Sequence, residues 1–143
     1  MREMVVDASV ALKWYLPDEE WGDRALRILE MHVAGDMALL APTILPYEVL
    51  NALLVAERRG RTAQGLTEDA FQALVELDIA LLNPFSETQE ILAMTRPYSR
   101  SIYDAAYMAV AWHRKVDLIT GDKRLYNAAK GKLKWVRWIG DEA

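Results

Sequence analysis

Apolar residues follow two different periods along this chain. Three short runs, at residues 38–41, 79–82 and 116–120, are almost continuously apolar and are bounded by turn residues. A fourth, shorter run opens the chain at Val5 and Val6. Such runs predict buried strands. Residues 134–139 alternate polar and apolar and predict a fifth, edge strand, with Lys134 and Arg137 guarding its open side. Between these runs the spacing turns helical. Asp18, Glu19 and Glu20 after Pro17 predict a helix start, followed by Trp21, Ala25, Ile28, Leu29 and Val33 on one face and a stop at Gly35. Residues 43–56 read as a helix that tolerates Pro46 only in its first turn. Thr67 is the expected cap of a helix that buries Phe71, Leu74, Val75 and Leu77. Ser86 and Gln89 form an expected capping box ahead of Ile91, Leu92 and Met94. An alanine-rich helix over 104–112 and a short one over 123–129 complete the set. Strands alternating with helices predict an α/β fold of three layers, with a central, mostly parallel sheet of four to five strands and helices on both faces. The 143 residues suit a single domain over 1–143, with no repeat or linker.

Composition narrows the chemistry. Without cysteine there are no disulfides or thiolate metal sites, which suits a cytoplasmic protein. No basic segment with an apolar core precedes the first strand, and no apolar run is long enough for a bilayer, so neither a secretory leader nor a membrane span is expected. A net charge of −4 argues against a simple basic patch for nucleic acid. Two histidines, His32 and His113, cannot build a His-rich zinc site, and both fall where a helix C-terminus favours them for structural reasons. A bound metal would therefore sit on carboxylates, which points to Mg²⁺ or Mn²⁺.

Four carboxylates stand out. Asp7 ends the first strand and Asp122 the fourth, and each turns directly into a helix. Glu48 shares a helix face with Asn51, three residues on, in a run otherwise dominated by Val, Leu and Ala. Asp104 lies in the first turn of the alanine-rich helix, with Tyr107 one turn later facing either the cleft or the core. Singly, each reads as a cap or a dipole carboxylate. In a parallel α/β sheet, however, all four belong to the edge where ligands bind. Clustered carboxylates repel one another, and a divalent cation turns that cost into binding. Ser9 is the expected cap of the first helix. Trp14, Tyr15 and Trp21 suit packing better than base stacking.

The ordered segments Val5-Val6-Asp7-Ala8-Ser9-Val10, Pro46-Tyr47-Glu48-Val49-Leu50-Asn51-Ala52-Leu53, Tyr103-Asp104-Ala105-Ala106-Tyr107-Met108-Ala109-Val110-Ala111 and Leu118-Ile119-Thr120-Gly121-Asp122-Lys123-Arg124-Leu125 resemble PIN-domain ribonucleases, specifically VapC toxins of type II toxin–antitoxin systems. The resemblance implies a PIN-like fold in which Asp7, Glu48, Asp104 and Asp122 hold the metal and Ser9, Asn51 and Thr120 support them. It implies Mg²⁺- or Mn²⁺-dependent hydrolysis of RNA to a 5′-phosphate and a 3′-hydroxyl, a homodimer and a VapB-type antitoxin partner. The alternatives are a PIN nuclease of RNA processing or decay without an antitoxin, and an inactive PIN-fold interaction module, against which the intact quartet argues. Setting the quartet aside leaves 17 acidic residues against 17 Lys and Arg, so the remaining surface is balanced. Lys13, Arg100, Lys123 and Arg124 adjoin the motifs and are the candidates for RNA phosphate contacts.

Overall fold

The structure, a computed structural model, describes residues 2–87 and 89–142. Its strands are β1 (Arg2–Val6), β2 (Met37–Pro42), β3 (Ala80–Leu82), β4 (Asp117–Thr120) and β5 (Val136–Trp138). Its helices are α1 (Ala8–Ala11), α2 (Gly22–Ala34), α3 (Leu45–Arg58), α4 (Leu66–Glu76), α5 (Pro84–Glu87), α6 (Ile91–Thr95), α7 (Ile102–Arg114) and α8 (Lys123–Ala129). The five strands form one sheet in the order β3-β2-β1-β4-β5, and every pairing is parallel. Val5 pairs with Leu40 on one side and Leu118 on the other, so β1 lies at the centre.

The pleat divides the core between two faces. Val5, Leu40 and Leu118 point to the face covered by α3, α4, α6, α7 and α8, where Leu45, Leu53, Met108 and Leu125 are buried. Met4, Val6, Leu39 and Ile119 point to the other face, covered mainly by Ala25 and Ile28 of α2 and by Ile139. The three-layer α/β/α expectation holds. Alanines of α7 let that helix lie close: Ala105, Ala109 and Ala111 are wholly buried.

Several local expectations change. Trp21 adopts a left-handed backbone (φ 65°), so α2 starts at Gly22 and not at Asp18. Gly65, also left-handed, precedes α4, and Thr67 instead lies buried in its first turn, donating to Glu57 Oε1 at 3.3 Å. Asn83 caps α5 by accepting from Phe85 N at 3.0 Å. The expected capping box over 86–89 includes Thr88, which lies outside the described residues. Val33, Val75 and Leu92, all expected inside, are exposed. The edge strand is shorter than expected, because Ile139–Asp141 closes into a 3-10 turn. His32 is structural: Leu39 N donates to its Nδ1 at 3.0 Å, and its Nε2 meets Leu77 O at 2.7 Å, tying α2 to β2 and the end of α4.

Candidate active site

β1 and β4 are neighbours, so their last residues meet at the carboxyl edge of the sheet. Asp7 follows β1 with an extended backbone and is the N-cap of α1, accepting from Val10 N at 3.2 Å. Its Oδ1 also accepts the Ser9 hydroxyl and its Oδ2 the Thr120 hydroxyl, the latter at 2.5 Å. Both hydroxyls are themselves acceptors. Gly121 N donates to Ser9 Oγ at 2.8 Å and Asp122 N to Thr120 Oγ1 at 3.0 Å. Asp7 is thus held by both strand ends. Ser9 does not cap the helix, because the cap is Asp7 itself, and Ser9 instead joins α1 to the turn after β4. Asp122 repeats the device as N-cap of α8, its Oδ1 accepting from Arg124 N at 3.0 Å.

Glu48 lies in the first turn of α3 and accepts the Tyr107 hydroxyl of α7 at 2.7 Å. Asp104 lies in the first turn of α7, behind the Ser101 cap, and pairs with Arg100 Nε at 3.1 Å. Asn51 is exposed one turn along α3 from Glu48. Tyr107 is the addition that the structure makes to the site. Its position one turn from Asp104 was the available signal, but only the α3–α7 packing selects the cleft.

Electrostatics link the carboxylates. Burial pushes Asp7 up to about 6, against hydrogen bonds from Ser9, Thr120 and Val10, and the charge of Asp104 adds to the rise. Burial likewise raises Glu48 and Asp104; Asp104 repels Glu48, and Asp122 repels Asp104. Asp104 is therefore the charge shared by the other three. The Tyr107 phenol is raised by its burial and by Glu48, Asp7 and Asp104, so it stays protonated and donates. Among the described residues, no group of three or more His, Cys, Asp or Glu side chains lies close enough to hold a metal ion. The carboxylates influence one another electrostatically, and Asp104 is paired with Arg100. The donors fit a hard divalent cation in chemistry: they are carboxylate oxygens, backed by hydroxyls, and their charge is poorly tolerated alone.

The basic candidates divide. Arg100 is engaged by Asp104, and its neighbour in the electrostatics is exposed Arg124, which lowers Asp104. Lys123 places its ammonium 4.5 Å from the Trp138 ring centroid and 5.5 Å from that of Tyr126. Lys13 is buried at 8 % exposure, because its stem packs into the turn around Gly121. Trp14 donates its indole N–H to Ala25 O at 2.8 Å and serves packing.

The family model of the PIN domain matches residues 4–131. The chain belongs to the PIN-domain family and is of the VapC type. Ribonuclease VapC3 of Pyrobaculum aerophilum is 31% identical over 128 residues, which span 86% of this chain and 92% of that protein. The crystal structure of PAE2754 from Pyrobaculum aerophilum superimposes with a TM-score of 0.67 at 23% identity, covering 97% of this chain and 92% of the other, and bears on the PIN fold alone. Within this PIN domain, the Asp7, Glu48, Asp104 and Asp122 segments lie inside the matched region, and no helix among the described residues is long and apolar enough to cross a membrane.

Proposed function

We propose that this PIN domain is a cytoplasmic, Mg²⁺- or Mn²⁺-dependent endoribonuclease and the toxin of a VapBC-type pair. The observation that carries the reading is Asp7, a buried carboxylate fixed by the Ser9 hydroxyl of α1 and the Thr120 hydroxyl at the end of β4, while three more carboxylates act on one another beside it. Structural carboxylates gain little from such an arrangement, which raises their proton affinity and weakens the fold. A cation site gains its charge. The similarity to Ribonuclease VapC3 supports RNA as substrate.

Asp7, Asp104 and Asp122, with Glu48, would hold the metal. The cation supplies Lewis-acid polarisation of the phosphodiester and lowers the pKa of the attacking water. The protein supplies the rest. Ser9 and Thr120 fix both oxygens of Asp7, and Tyr107 fixes one oxygen of Glu48. Arg100 holds Asp104 until a cation competes for it. Arg124 and Lys123 border the cleft where the flanking phosphates of the RNA would lie. Hydrolysis then leaves a 5′-phosphate and a 3′-hydroxyl.

The same reading assigns two protein partners. Phe85, Leu92, Ile102 and Tyr103 are exposed and line adjoining apolar grooves, the surface we assign to a homodimer. A VapB-type antitoxin would cover the acidic cleft.

Sequencing the RNA ends produced during brief expression tests activity and substrate together. New 5′-phosphate ends that vanish in the Asp7→Asn, Asp104→Asn double variant are expected, with EDTA stopping cleavage in vitro and Mn²⁺ restoring it. Cleavage that survives in the purified double variant would overturn the mechanism. Cleavage without growth arrest, and no short neighbouring reading frame, would favour an RNA-processing nuclease instead.

A further inference from the structure

Lys13 is the one buried lysine among the described residues, in the 3-10 turn Leu12–Trp14 that follows α1. Its side chain lies over the turn between Thr120 and Asp122. A Cβ on Gly121 would stand 2.8 Å from Lys13 Cε, 3.4 Å from its Nζ and 3.3 Å from Ser9 Oγ. The ammonium and the hydroxyl that holds Asp7 thus lie over the same turn, and a side chain at 121 would displace the end of the lysine.

Its donors are poorly used. The nearest carboxylate oxygen is Glu19 Oε1 at 3.9 Å, an ion pair too long for a hydrogen bond. Glu19 is drawn the other way, its Oε2 accepting from Arg61 Nη2 at 2.9 Å, while Arg61 also grips Asp18 at 3.0 and 3.1 Å. No hydrogen bond joins Lys13 Nζ to another described residue. The stem is buried while the ammonium keeps spare donors at the cleft surface, which an entering anion can complete. Of the other cations of the edge, Arg100 is engaged on Asp104 and Lys123 on the rings of Tyr126 and Trp138, while Arg124 is exposed at the rim. A polyanionic strand entering an acidic cleft also needs a fixed positive charge close in.

We propose that Lys13 is a phosphate-binding residue of the cleft. Its ammonium takes a non-bridging oxygen of the RNA phosphodiester, and Glu19 is the distant counter-ion it keeps when RNA is absent. This rests on the ribonuclease reading. Low exposure strengthens the contact, because water screens it little.

The test compares wild type, Lys13→Met and Glu19→Gln. Methionine keeps an unbranched stem over Gly121 and removes the charge. With saturating Mg²⁺, Lys13→Met should lose about 10²-fold in kcat/KM on single-stranded RNA, the scale for one lost electrostatic donor. Its calorimetric Mg²⁺ affinity should be unchanged. In EDTA, anisotropy of a labelled RNA 12-mer should show weaker binding, with a salt slope smaller by about 0.7. Glu19→Gln should bind that RNA several-fold more tightly. A folded Lys13→Met variant that cuts within threefold of wild type with an unaltered slope overturns the proposal. So does parallel loss of Mg²⁺ affinity, which would mark Lys13 as a positioning residue for the metal. Should Lys13→Met not fold, unchanged RNA binding by Glu19→Gln overturns it. Wild-type protein that neither binds nor cuts RNA fails the ribonuclease reading itself.

Discussion

Tyr107 of α7 donates its phenolic hydroxyl to Glu48 of α3 at 2.7 Å, joining two helices that reach the carboxyl edge from separate parts of the chain. The bond opposes the burial that raises Glu48. Tyr107→Phe should therefore raise the Glu48 pKa further and cost about 1.5–3 kcal/mol of stability, the scale for a hydrogen bond to a charged acceptor. Urea unfolding at pH 7 and the acid limb of the pH–rate profile, displaced upward, check it. A variant unaltered in both would leave Tyr107 as packing only.

Asp7 makes the metal-free protein sensitive to pH with an unusual sign. Its folded pKa is about 6 against a reference of 3.8, so the folded state binds the proton more tightly. The stabilisation is complete below about pH 4 and is lost as pH rises through 6; Glu48 and Asp104, also raised, add in the same direction. The loss from Asp7 is about 2–3 kcal/mol, at 1.36 kcal/mol per pKa unit. In EDTA, Asp7→Asn should be the more stable protein at pH 7.5 while cutting no RNA, and Mg²⁺ should stabilise wild type much more than the variant. Thermal unfolding at pH 4 and 7.5, with and without Mg²⁺, decides the matter. Wild type gaining stability between pH 4 and 6 would contradict it.

On the proposed reading a metal would compete with Arg100 for Asp104, whose pair with Arg100 is partly exposed. Such pairs contribute up to about 1 kcal/mol. Arg100→Gln should then tighten Mg²⁺ binding by roughly two- to five-fold in calorimetry. Weaker binding would mean that Arg100 supports the site and does not compete for it.

A Cβ on Gly121 would stand 2.8 Å from Lys13 Cε, so an alanine there has to push the end of the largely buried lysine aside. Gly121→Ala should cost about 1–3 kcal/mol through overpacking, measured by denaturant midpoint. Combining it with Lys13→Ala, which vacates the space, should recover most of that loss. Equal destabilisation in both backgrounds would place the strain elsewhere.

Phe85, 75 % exposed, is the most exposed member of the apolar face. Phe85→Glu should convert a dimer to a monomer in light scattering at micromolar concentration without changing the circular dichroism. A monomeric wild type would remove the dimer from the reading.

The positions of the strands and of the four carboxylates along the chain were legible because each rests on local signals, short apolar runs and acids at strand ends or in first helical turns, but β3, expected to be buried, is an edge strand with Ala80 and Leu81 exposed. Helical spacing misplaced Val33, Val75 and Leu92. A 3.6-residue period marks a stripe wider than the surface that one neighbouring layer covers, and these residues sit at its margins or on the uncovered face. The start of α2 was hidden in the backbone of Trp21, where nothing in the side chain foretells a positive φ. Ser9 and Asp7 exchanged roles because either can cap a helix, and the choice depends on Thr120 and Gly121, more than a hundred residues later. The burial of Lys13 follows from a glycine it meets only in three dimensions. Pairing Tyr107 with Glu48 likewise required the packing of α3 on α7.

The bond from Thr120 to Asp7 spans 113 positions of sequence. A growing chain carries Asp7 almost from its first residues, but the carboxylate has no second strand to hold it until β4 has been made and has inserted beside β1. Gly121, which seats Lys13, and Asp122 follow within two residues. The site as proposed therefore cannot assemble until β4 has been made and has paired with β1, however early its first carboxylate is in place.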